Sequence, residues 1–327
     1  MNKPSLRIAI VRLSALGDIV NTAVVLQIIR HHYPDAQIDW FVEEAFSPLL
    51  EGHPLIHEVV AIPLKKIKKE KNLSLLYATL QALRSREKYD HIIDAQGLLK
   101  SAIVTACLQG PVHGFDRHSA REAVASWFYK TTSHIPYDMN IIKRNVMVIT
   151  QALNIPYSDA LIEQKSPIFS VNMPPQKEKK IALVIGASWP SKCYPKEQFS
   201  ALCDLLPYPC HLIWGNKNEY QDALWITEHS SNAFVTDQMS LQELVTFIAY
   251  CDLTIGNDTG PTHMAWAMNR PSITLFGPTT QRMIYPTSTN IGIKSPSEVD
   301  IYHINRNDFS IKQIDPRHIA DKAIELL

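Results

Sequence analysis

Two kinds of hydrophobic pattern alternate along this chain of 327 residues. Short apolar, often β-branched runs are typical of buried strands, and longer segments with apolar residues every three or four positions are typical of helices. In the first half, the pattern predicts strands at Leu6–Arg12, Ile38–Val42, Glu58–Ile62, His91–Ala95 and Val112–Gly114. It predicts helices at Ile19–His31, Leu73–Arg86, Leu98–Leu108 and Met139–Leu153, with an amphipathic stretch at Arg121–Phe128.

The alternation is interrupted once and then starts again. Pro167, Pro174, Pro175 and the charged run Gln176–Lys180 predict a linker over 161–180, between a domain at 1–160 and a domain at 181–327. The second half predicts strands at Ile181–Ile185, His211–Trp214, Ala233–Thr236, Leu253–Gly256 and Ser272–Phe276. Its predicted helices are Lys196–Leu206, Glu219–His229, Leu241–Tyr250, Thr262–Met268 and a last one from Asp315-Pro316 to Leu327. Strands that alternate with helices favour an α/β fold with two doubly wound, Rossmann-like domains that face each other across a cleft.

Composition narrows the classes of function. The chain has 32 Lys and Arg against 32 Asp and Glu, so its zero net charge argues against a protein held on nucleic acid by bulk positive charge. Five lysines nevertheless crowd positions 65–71. The five cysteines form no C-x-x-C pair, which disfavours a structural zinc site and favours a reducing cytoplasm. No apolar run approaches the roughly 20 residues that span a bilayer, so we expect a soluble or peripheral protein.

Ligands of such sheets bind beyond the carboxyl ends of the strands, and the loops there contain most of the few glycines. The first strand leads into Arg12-Leu13-Ser14-Ala15-Leu16-Gly17-Asp18, which is neither a dinucleotide fingerprint nor a P-loop. Asp18 either accepts a proton from a substrate hydroxyl or caps its helix. The fourth strand ends in Asp94-Ala95-Gln96-Gly97-Leu98-Leu99-Lys100, where Lys100 either contributes to an anion site or is simply solvated.

The second half offers three such loops. Ala187, Ser188 and Lys192 follow its first strand and suit a phosphate, although a lone loop lysine is often only solvated. Glu219 follows the second strand, where an acidic residue commonly binds ribose hydroxyls, or it is an ordinary charge in a first helical turn. The clearest signal is Gly256–His263, in which two glycines bracket Asp-Thr and a proline opens a helix; it predicts a diphosphate site. No D-x-D sequence or metal-ligand spacing occurs, which predicts chemistry without a metal.

These loops resemble those of glycosyltransferase family nine, the bacterial lipopolysaccharide heptosyltransferases, whose fold is GT-B. The resemblance runs from the first strand to the last helix and rests on RLSALGD (12–18), DAQGLLKSA (94–102), the Lys192 loop, WGNKNE (214–219), NDTGPTHMAWA (257–267) and FGPT (276–279). DAQGLLKS together with Asp116 and Ala120-Arg121-Glu122 resembles in particular the branch that adds the first heptose to Kdo, the acidic sugar of the inner core.

The resemblance implies an inverting, metal-independent transfer of heptose from ADP-heptose to Kdo-lipid A, by a monomer at the cytoplasmic face of the inner membrane. Asp18 would be the general base, and Lys192 would neutralise charge on the ADP leaving group. The implied donor-binding residues are Ala187, Ser188, Lys192, Glu219, Asp258, Thr259, Gly260, Thr262 and His263. The implied acceptor-binding residues are Ser14, Gly17, Lys65, Lys66, Lys68, Lys100 and Arg121.

The sequence departs from the family pattern at two sets of binding residues, and three alternative functions stay open. Ala187-Ser188 stands where we expect two threonines, and lysines stand at 65–71 where arginines are expected, which replaces a bidentate fork with a point charge. The alternatives are heptosyltransferase II or another core glycosyltransferase of the same family, a sugar-nucleotide epimerase, and a non-catalytic binder of nucleotide sugars or lipid A. Turnover of a nucleotide sugar without a lipid acceptor would favour the epimerase.

Overall fold

The protein is described here by a computed structural model that covers residues 5–171 and 178–327. The chain forms two compact units, Met1–Ile168 and Phe169–Leu327. Part of the predicted linker, including Pro174, Pro175 and Gln176, lies outside the described residues. The boundaries 1–160 and 181–327 therefore stay predictions.

The first unit is built on a six-stranded, entirely parallel sheet. Its strands are β1 (Arg7–Val11), β2 (Gln37–Glu43), β3 (Glu58–Ile62), β4 (His91–Asp94), β5 (Val112–Phe115) and β6 (Thr131–Ser133). Their order across the sheet is β3-β2-β1-β4-β5-β6. In register, Ile8 of β1 lies opposite Ile38 on one side and His91 on the other. This order reverses direction between β1 and β4, so the loops after these two strands open the crevice in which such sheets bind ligands.

Helices cover both faces of this sheet. They are α1 (Leu16–Thr22), α2 (Val25–His32), α3 (Leu64–Glu70), α4 (Leu73–Arg84), α5 (Leu99–Cys107), α6 (Ile141–Ala152) and α7 (Ala160–Glu163), with 3-10 turns at Glu44–Leu49 and Ala123–Phe128. The apolar residues of β1, Ile8 to Val11, are completely buried. A strand that is apolar on both sides fits only the middle of a covered sheet, which explains the central place of β1.

The second unit repeats this topology. Its strands are β7 (Ile181–Val184), β8 (Cys210–Ile213), β9 (Ala233–Val235), β10 (Leu253–Asn257), β11 (Ser272–Phe276) and β12 (Asn290–Lys294). They lie in the order β12-β11-β10-β7-β8-β9 and are all parallel. The crevice of this unit therefore opens at the ends of β7 and β10, the counterparts of β1 and β4.

The helices of the second unit are α8 (Lys196–Leu205), α9 (Lys217–His229), α10 (Leu241–Tyr250), α11 (Gly260–Ala267) and α12 (Pro316–Leu326). Short 3-10 turns occur at Pro190–Lys192, Gln281–Met283 and Ser310–Gln313. Caps fix several helix starts: Ser240 Oγ accepts the N–H of Glu243 at 3.3 Å, and Asp315 accepts the N–H of Arg317 at 2.9 Å. Among the described residues, no helix combines the length and apolarity that crossing a bilayer requires.

The predicted α/β class with two Rossmann-like sheets is confirmed, and several elements differ in detail. The helix predicted over Ile19–His31 is two helices, α1 and α2, separated at Ala23–Val24. The amphipathic stretch at Arg121–Phe128 forms a 3-10 turn over Ala123–Phe128 rather than an α-helix. The pattern also missed β6 and β12, each at one edge of its sheet, because neither contains a continuous apolar run.

Candidate active site

Asp18 lies in the first turn of α1, directly after the loop that leaves β1. Its Oδ1 is 3.0 Å from Nη2 of Arg12, a residue that is only 5% exposed. Its Oδ2 accepts the backbone N–H of Ala15 at 3.2 Å. The carboxylate therefore bonds to the start of its own helix and also has a cationic partner, while 26% of the side chain stays exposed to solvent. Sequence reasoning did not single out Arg12, whose pairing with Asp18 depends on the loop geometry.

Gln96 joins the loop after β4 to the loop after β1. Its Oε1 accepts the backbone N–H of Leu13 at 2.9 Å, and its Nε2 donates to Ser14 Oγ at 3.2 Å. The same Ser14 hydroxyl accepts a hydrogen bond from Lys100 Nζ at 2.5 Å. Partial burial lowers the pKa of Lys100, although the carboxylate of Glu43 acts in the opposite direction. Ser14 and Lys100, both predicted acceptor-binding residues, therefore lie together at this edge of the sheet.

Asp94, the last residue of β4, is fully buried beneath this loop. It accepts the Tyr129 hydroxyl at 2.7 Å and the backbone N–H groups of Gln96 and Gly97 at 2.8 and 3.1 Å. Burial raises the pKa of Asp94, and these hydrogen bonds only partly oppose the shift. Gly97 has a φ of +68°, a backbone conformation that favours glycine. Asp94 thus shapes the turn that leads to Lys100.

The remaining predicted acceptor-binding residues are spread over the surface of the first unit. Lys65, Lys66 and Lys68 lie on α3 and are exposed. Lys65 has its Nζ 4.8 Å from the centre of the Phe46 ring, and its backbone N–H donates to Glu43 Oε1 at 3.0 Å. The carboxylate of Glu122 accepts the backbone N–H of Leu99 at 2.7 Å, which places the adjacent Arg121 beside the start of α5. Arg121 itself is exposed. Gly17 lies within α1, next to Asp18.

In the second unit, three predicted donor-binding residues form a buried charged cluster. Lys192 Nζ is 2.7 Å from Asp258 Oδ2, and His263 Nε2 is 3.1 Å from Asp258 Oδ1. The three residues are 8%, 2% and 4% exposed, respectively. Burial by itself would raise the pKa of Asp258, but Lys192 and His263 more than offset that effect and hold the pKa below its usual range. The cluster thus brings a cation of the loop after β7 to the first turn of α11.

Asn257, the last residue of β10, holds these two segments together. Its Oδ1 accepts the backbone N–H of Tyr194 at 2.9 Å, and its Nδ2 donates to the carbonyls of Ile185 and Gly186 at 2.9 and 3.2 Å. Its own carbonyl accepts the hydroxyl of Thr262 at 2.8 Å. The Thr262 side chain therefore bonds within the loop. Sequence reasoning missed this role of Asn257, although the NDTG motif contained it.

The other predicted donor-binding residues line the same ends of β7, β8 and β10. Glu219 Oε2 accepts the backbone N–H of Gly215 at 2.6 Å. A Cβ on Gly186 would lie 2.3 Å from the Glu219 carboxyl group, so a side chain at position 186 would displace this carboxylate. Ala187 and Ser188 follow Gly186, and Ser188 is exposed. Thr259 and Gly260 begin α11, whose free N–H groups point along the helix axis and favour an anion.

Within residues 5–171 and 178–327, one group of three side chains could offer ligand atoms to a metal: Asp39, His57 and Glu58. Its chemistry does not suit a cation. Arg7 and Arg86 lie 3.7 and 3.6 Å from Asp39 Oδ2, and the guanidinium groups already neutralise the carboxylate. Asp39 belongs to β2 and pairs opposite Ala9 of β1, away from the loops that contain Asp18 and Lys100.

Comparisons with known proteins place the chain in one family. It matches glycosyltransferase family 9 (heptosyltransferase) over residues 76–303. It is 38% identical to lipopolysaccharide heptosyltransferase 1 of Campylobacter coli, over 98% of this chain and 99% of that protein.

Solved structures agree with this assignment. The E. coli heptosyltransferase WaaC with ADP has a TM-score of 0.84 at 26% identity, covering 98% of this chain and 100% of the other. The same enzyme with ADP-2-deoxy-2-fluoro heptose has a TM-score of 0.82 at 26% identity and the same coverage. Both sheets and their strand order fit the GT-B fold of these relatives. The chain therefore belongs to glycosyltransferase family 9 and is a heptosyltransferase of lipopolysaccharide core synthesis.

Proposed function

We propose that the chain transfers heptose from ADP-heptose to the first Kdo of Kdo-lipid A, with inversion and without a metal ion. The buried Lys192–Asp258–His263 cluster is the observation that carries this proposal. It combines a cation for a diphosphate with a carboxylate and an imidazole for sugar hydroxyls. The relative from Campylobacter coli supports the choice of the first heptose, and WaaC, which is bound to an ADP-heptose analogue, supports the donor.

The second unit binds the donor in this proposal. Glu219 accepts hydrogen bonds from the ribose hydroxyls, and the N–H groups at the start of α11, with Ser188, Thr259 and Gly260, hold the diphosphate. Asp258 and His263 orient the heptose. As the bond between the anomeric carbon and the diphosphate oxygen breaks, its electron pair leaves with ADP. Lys192 stabilises the negative charge that develops there.

The first unit supplies the base and binds the acceptor. The acceptor hydroxyl forms the new bond to the anomeric carbon and transfers its proton to Asp18. Arg12 holds Asp18 in a fixed orientation, since its guanidinium is buried and also donates to the carbonyl of Ala95. Ser14, Gly17, Lys100 and Arg121 would contact the acidic acceptor. We assign the carboxylate of Kdo to Lys100, because partial burial strengthens its attraction for an anion.

The exposed surface of α3 and α4 suits the anionic face of a membrane. Lys65, Lys66 and Lys68 are exposed on α3, and Leu73 and Tyr77 are 76% and 63% exposed on α4. Each basic residue near an anionic leaflet contributes about 1 kcal/mol to binding. We expect the double variant Lys66→Glu/Lys68→Glu to lose most of its co-sedimentation with vesicles that contain anionic lipid. Undiminished co-sedimentation would contradict the peripheral location.

The role of Asp18 can be tested separately from donor binding. We expect Asp18→Asn to lower the rate of transfer to Kdo-lipid A by about 10²- to 10⁴-fold, because the asparagine amide cannot accept the proton. The affinity for ADP, measured by calorimetry, should stay at the wild-type value. Transfer by the wild-type enzyme should persist in EDTA.

The matched control is Asp35→Asn, which removes the same charge from an exposed position between α2 and β2. This variant should transfer heptose at the wild-type rate. Equal losses of transfer and ADP affinity in Asp18→Asn would rule out a role as base. Loss of activity in EDTA would rule out the metal-independent reaction.

A further inference from the structure

The charge balance of the donor cluster is unfavourable for an anion. Lys192 is the cation of the cluster, and Asp258 pairs with it at 2.7 Å. Glu219 of α9 places a second carboxylate against Gly186, which lies in the loop that leads to Lys192. A nucleoside diphosphate that enters this site therefore meets two carboxylates for one lysine. A further positive charge close to Lys192 would strengthen the binding of a dianion.

The ring of Trp189 brings a second cation to this loop. The Arg306 guanidinium carbon lies 5.0 Å from the centre of the Trp189 ring. Lys192 Nζ also lies 5.0 Å from the same ring centre. The two cations are therefore no farther apart than twice that distance. Tryptophan is the aromatic side chain that attracts cations most strongly, so its ring can hold both side chains near the loop after β7.

Arg306 is held in place by its turn and is free to bind an anion. The backbone N–H of Asp308 donates to the Asn305 carbonyl at 3.2 Å, which closes a turn around Arg306. The Asp308 carboxylate anchors this turn by accepting the Ser297 hydroxyl at 2.7 Å and the Ser310 N–H at 2.9 Å. Arg306 is exposed, and no carboxylate of the described residues lies within ion-pair distance of it.

Two more polar groups of the Lys192 loop lack a partner. The indole N–H of Trp189 and the hydroxyl of Ser191 are buried, and neither has a hydrogen-bond partner among the residues that the structure describes. Buried donors without acceptors are rare in folded proteins because each costs about 1–3 kcal/mol. A phosphate or ribose oxygen would satisfy them once the loop opens, because each atom has almost no exposed surface. These orphaned donors and the unpaired guanidinium indicate the same kind of ligand, an oxygen-rich anion.

We propose that Arg306, held in place by its contact with the Trp189 ring, is a further donor-binding residue that contacts the diphosphate together with Lys192. This inference rests on the proposed function and extends it to a residue that the family motifs do not contain. Arginine suits the role because its planar fork can bind two phosphate oxygens while its face stacks on the indole ring. The bound diphosphate would then face two cations, and Asp258 would no longer be the only counter-ion of Lys192.

The test is the binding of ADP and of adenosine to the full-length protein, measured by calorimetry. We expect Arg306→Ala to weaken ADP binding about tenfold, as expected for the loss of a charge-assisted hydrogen bond, and to leave adenosine binding unchanged. Arg306→Lys should recover part of the affinity. Trp189→Ala should weaken ADP binding at least as much as Arg306→Ala, because it also removes the ring beside Lys192. Trp189→Phe, which keeps an aromatic face, should lose less affinity than Trp189→Ala.

The matched control is Arg317→Ala, which removes an exposed arginine from the start of α12 and should bind ADP like the wild type. Wild-type affinity for ADP in Arg306→Ala would overturn the inference and leave the proposed function standing. A wild-type protein that does not bind ADP at all would overturn the proposed function instead. Equal weakening of ADP and adenosine binding would also overturn the inference, because it would indicate a general disturbance of the site.

Discussion

Asp94 and Asp258 lie at equivalent places in the two units and have opposite electrostatics. Asp94 ends β4 and Asp258 follows β10, and these strands occupy the same position in sheets of the same order. Both carboxyl groups are buried. Asp94 is surrounded by neutral donors, and burial raises its pKa. Asp258 faces Lys192 and His263, which outweigh burial and lower its pKa.

The difference shows how one topology accommodates two tasks. In the first unit, a carboxyl group bonded to Tyr129 and to two backbone N–H groups shapes the turn before Lys100, and Lys100 itself bonds to Ser14. In the second unit, the carboxylate pairs with the lysine itself and holds it in a buried position. The strand order determines which loops lie next to each other. The residues that follow the strands determine whether the buried aspartate there has neutral or charged partners.

The largest expected effect comes from removing the charge of Asp258. We expect Asp258→Asn to lower the free energy of unfolding of the second unit by about 3–5 kcal/mol, because Lys192 would remain buried without its counter-ion. Adding Lys192→Met should restore most of the loss. Urea titration with hydrogen exchange to locate the unfolding unit measures both effects. A cost below about 1 kcal/mol would show that the pair is not buried as described.

A smaller contrast is expected for the two amide side chains that tie the loops together. Asn257→Ala removes bonds to Tyr194, Ile185 and Gly186, so we expect it to cost about 3 kcal/mol. Gln96→Ala removes bonds to Leu13 and Ser14 and should cost about 1 kcal/mol, because Ser14 is only partly buried and water can replace that bond. The same urea titrations compare them. Equal losses of unfolding free energy would contradict the expected difference between the two sets of hydrogen bonds.

The smallest expected effect concerns the free energy of unfolding, which should depend on pH in opposite directions through Asp94 and Asp258. The raised pKa of Asp94 adds stability below the ordinary pKa of an aspartate, about 3.9, and this stability is lost as the pH rises through the folded-state value. The lowered pKa of Asp258 adds stability above about pH 4, which is lost as the pH falls.

Substitution by asparagine removes each titration, and hydrogen exchange reports on each unit separately. Between acid and neutral pH, Asp94→Asn should gain stability relative to the wild type as the pH rises. Asp258→Asn should lose stability relative to the wild type over the same range. The same trend in both variants would contradict the opposite pKa shifts.

The central strands and the site loops could be predicted from the sequence because each has a local signal. β1 and β7 are continuous apolar runs, and the Gly256–His263 loop combines glycines with a proline that opens a helix. The partners of the site residues had no such signal. Arg12 pairs with Asp18 through the geometry of the loop between them, and Arg306 reaches Trp189 through the folding of distant segments. The pattern also did not reveal the break between α1 and α2, since both helices bury the same kind of apolar face.

The position of β1 in the middle of its sheet has a consequence for how the chain folds. β1 leaves the ribosome before the other strands of its sheet, yet one of its two neighbours, β4, begins only at His91. Until then, one edge of an apolar strand has no native partner, and such edges promote aggregation. β7 likewise lacks one of its two neighbours until β10, which begins at Leu253, has been synthesised. Synthesis of this enzyme therefore passes twice through a period of vulnerability, in which chaperone binding would protect the nascent chain most.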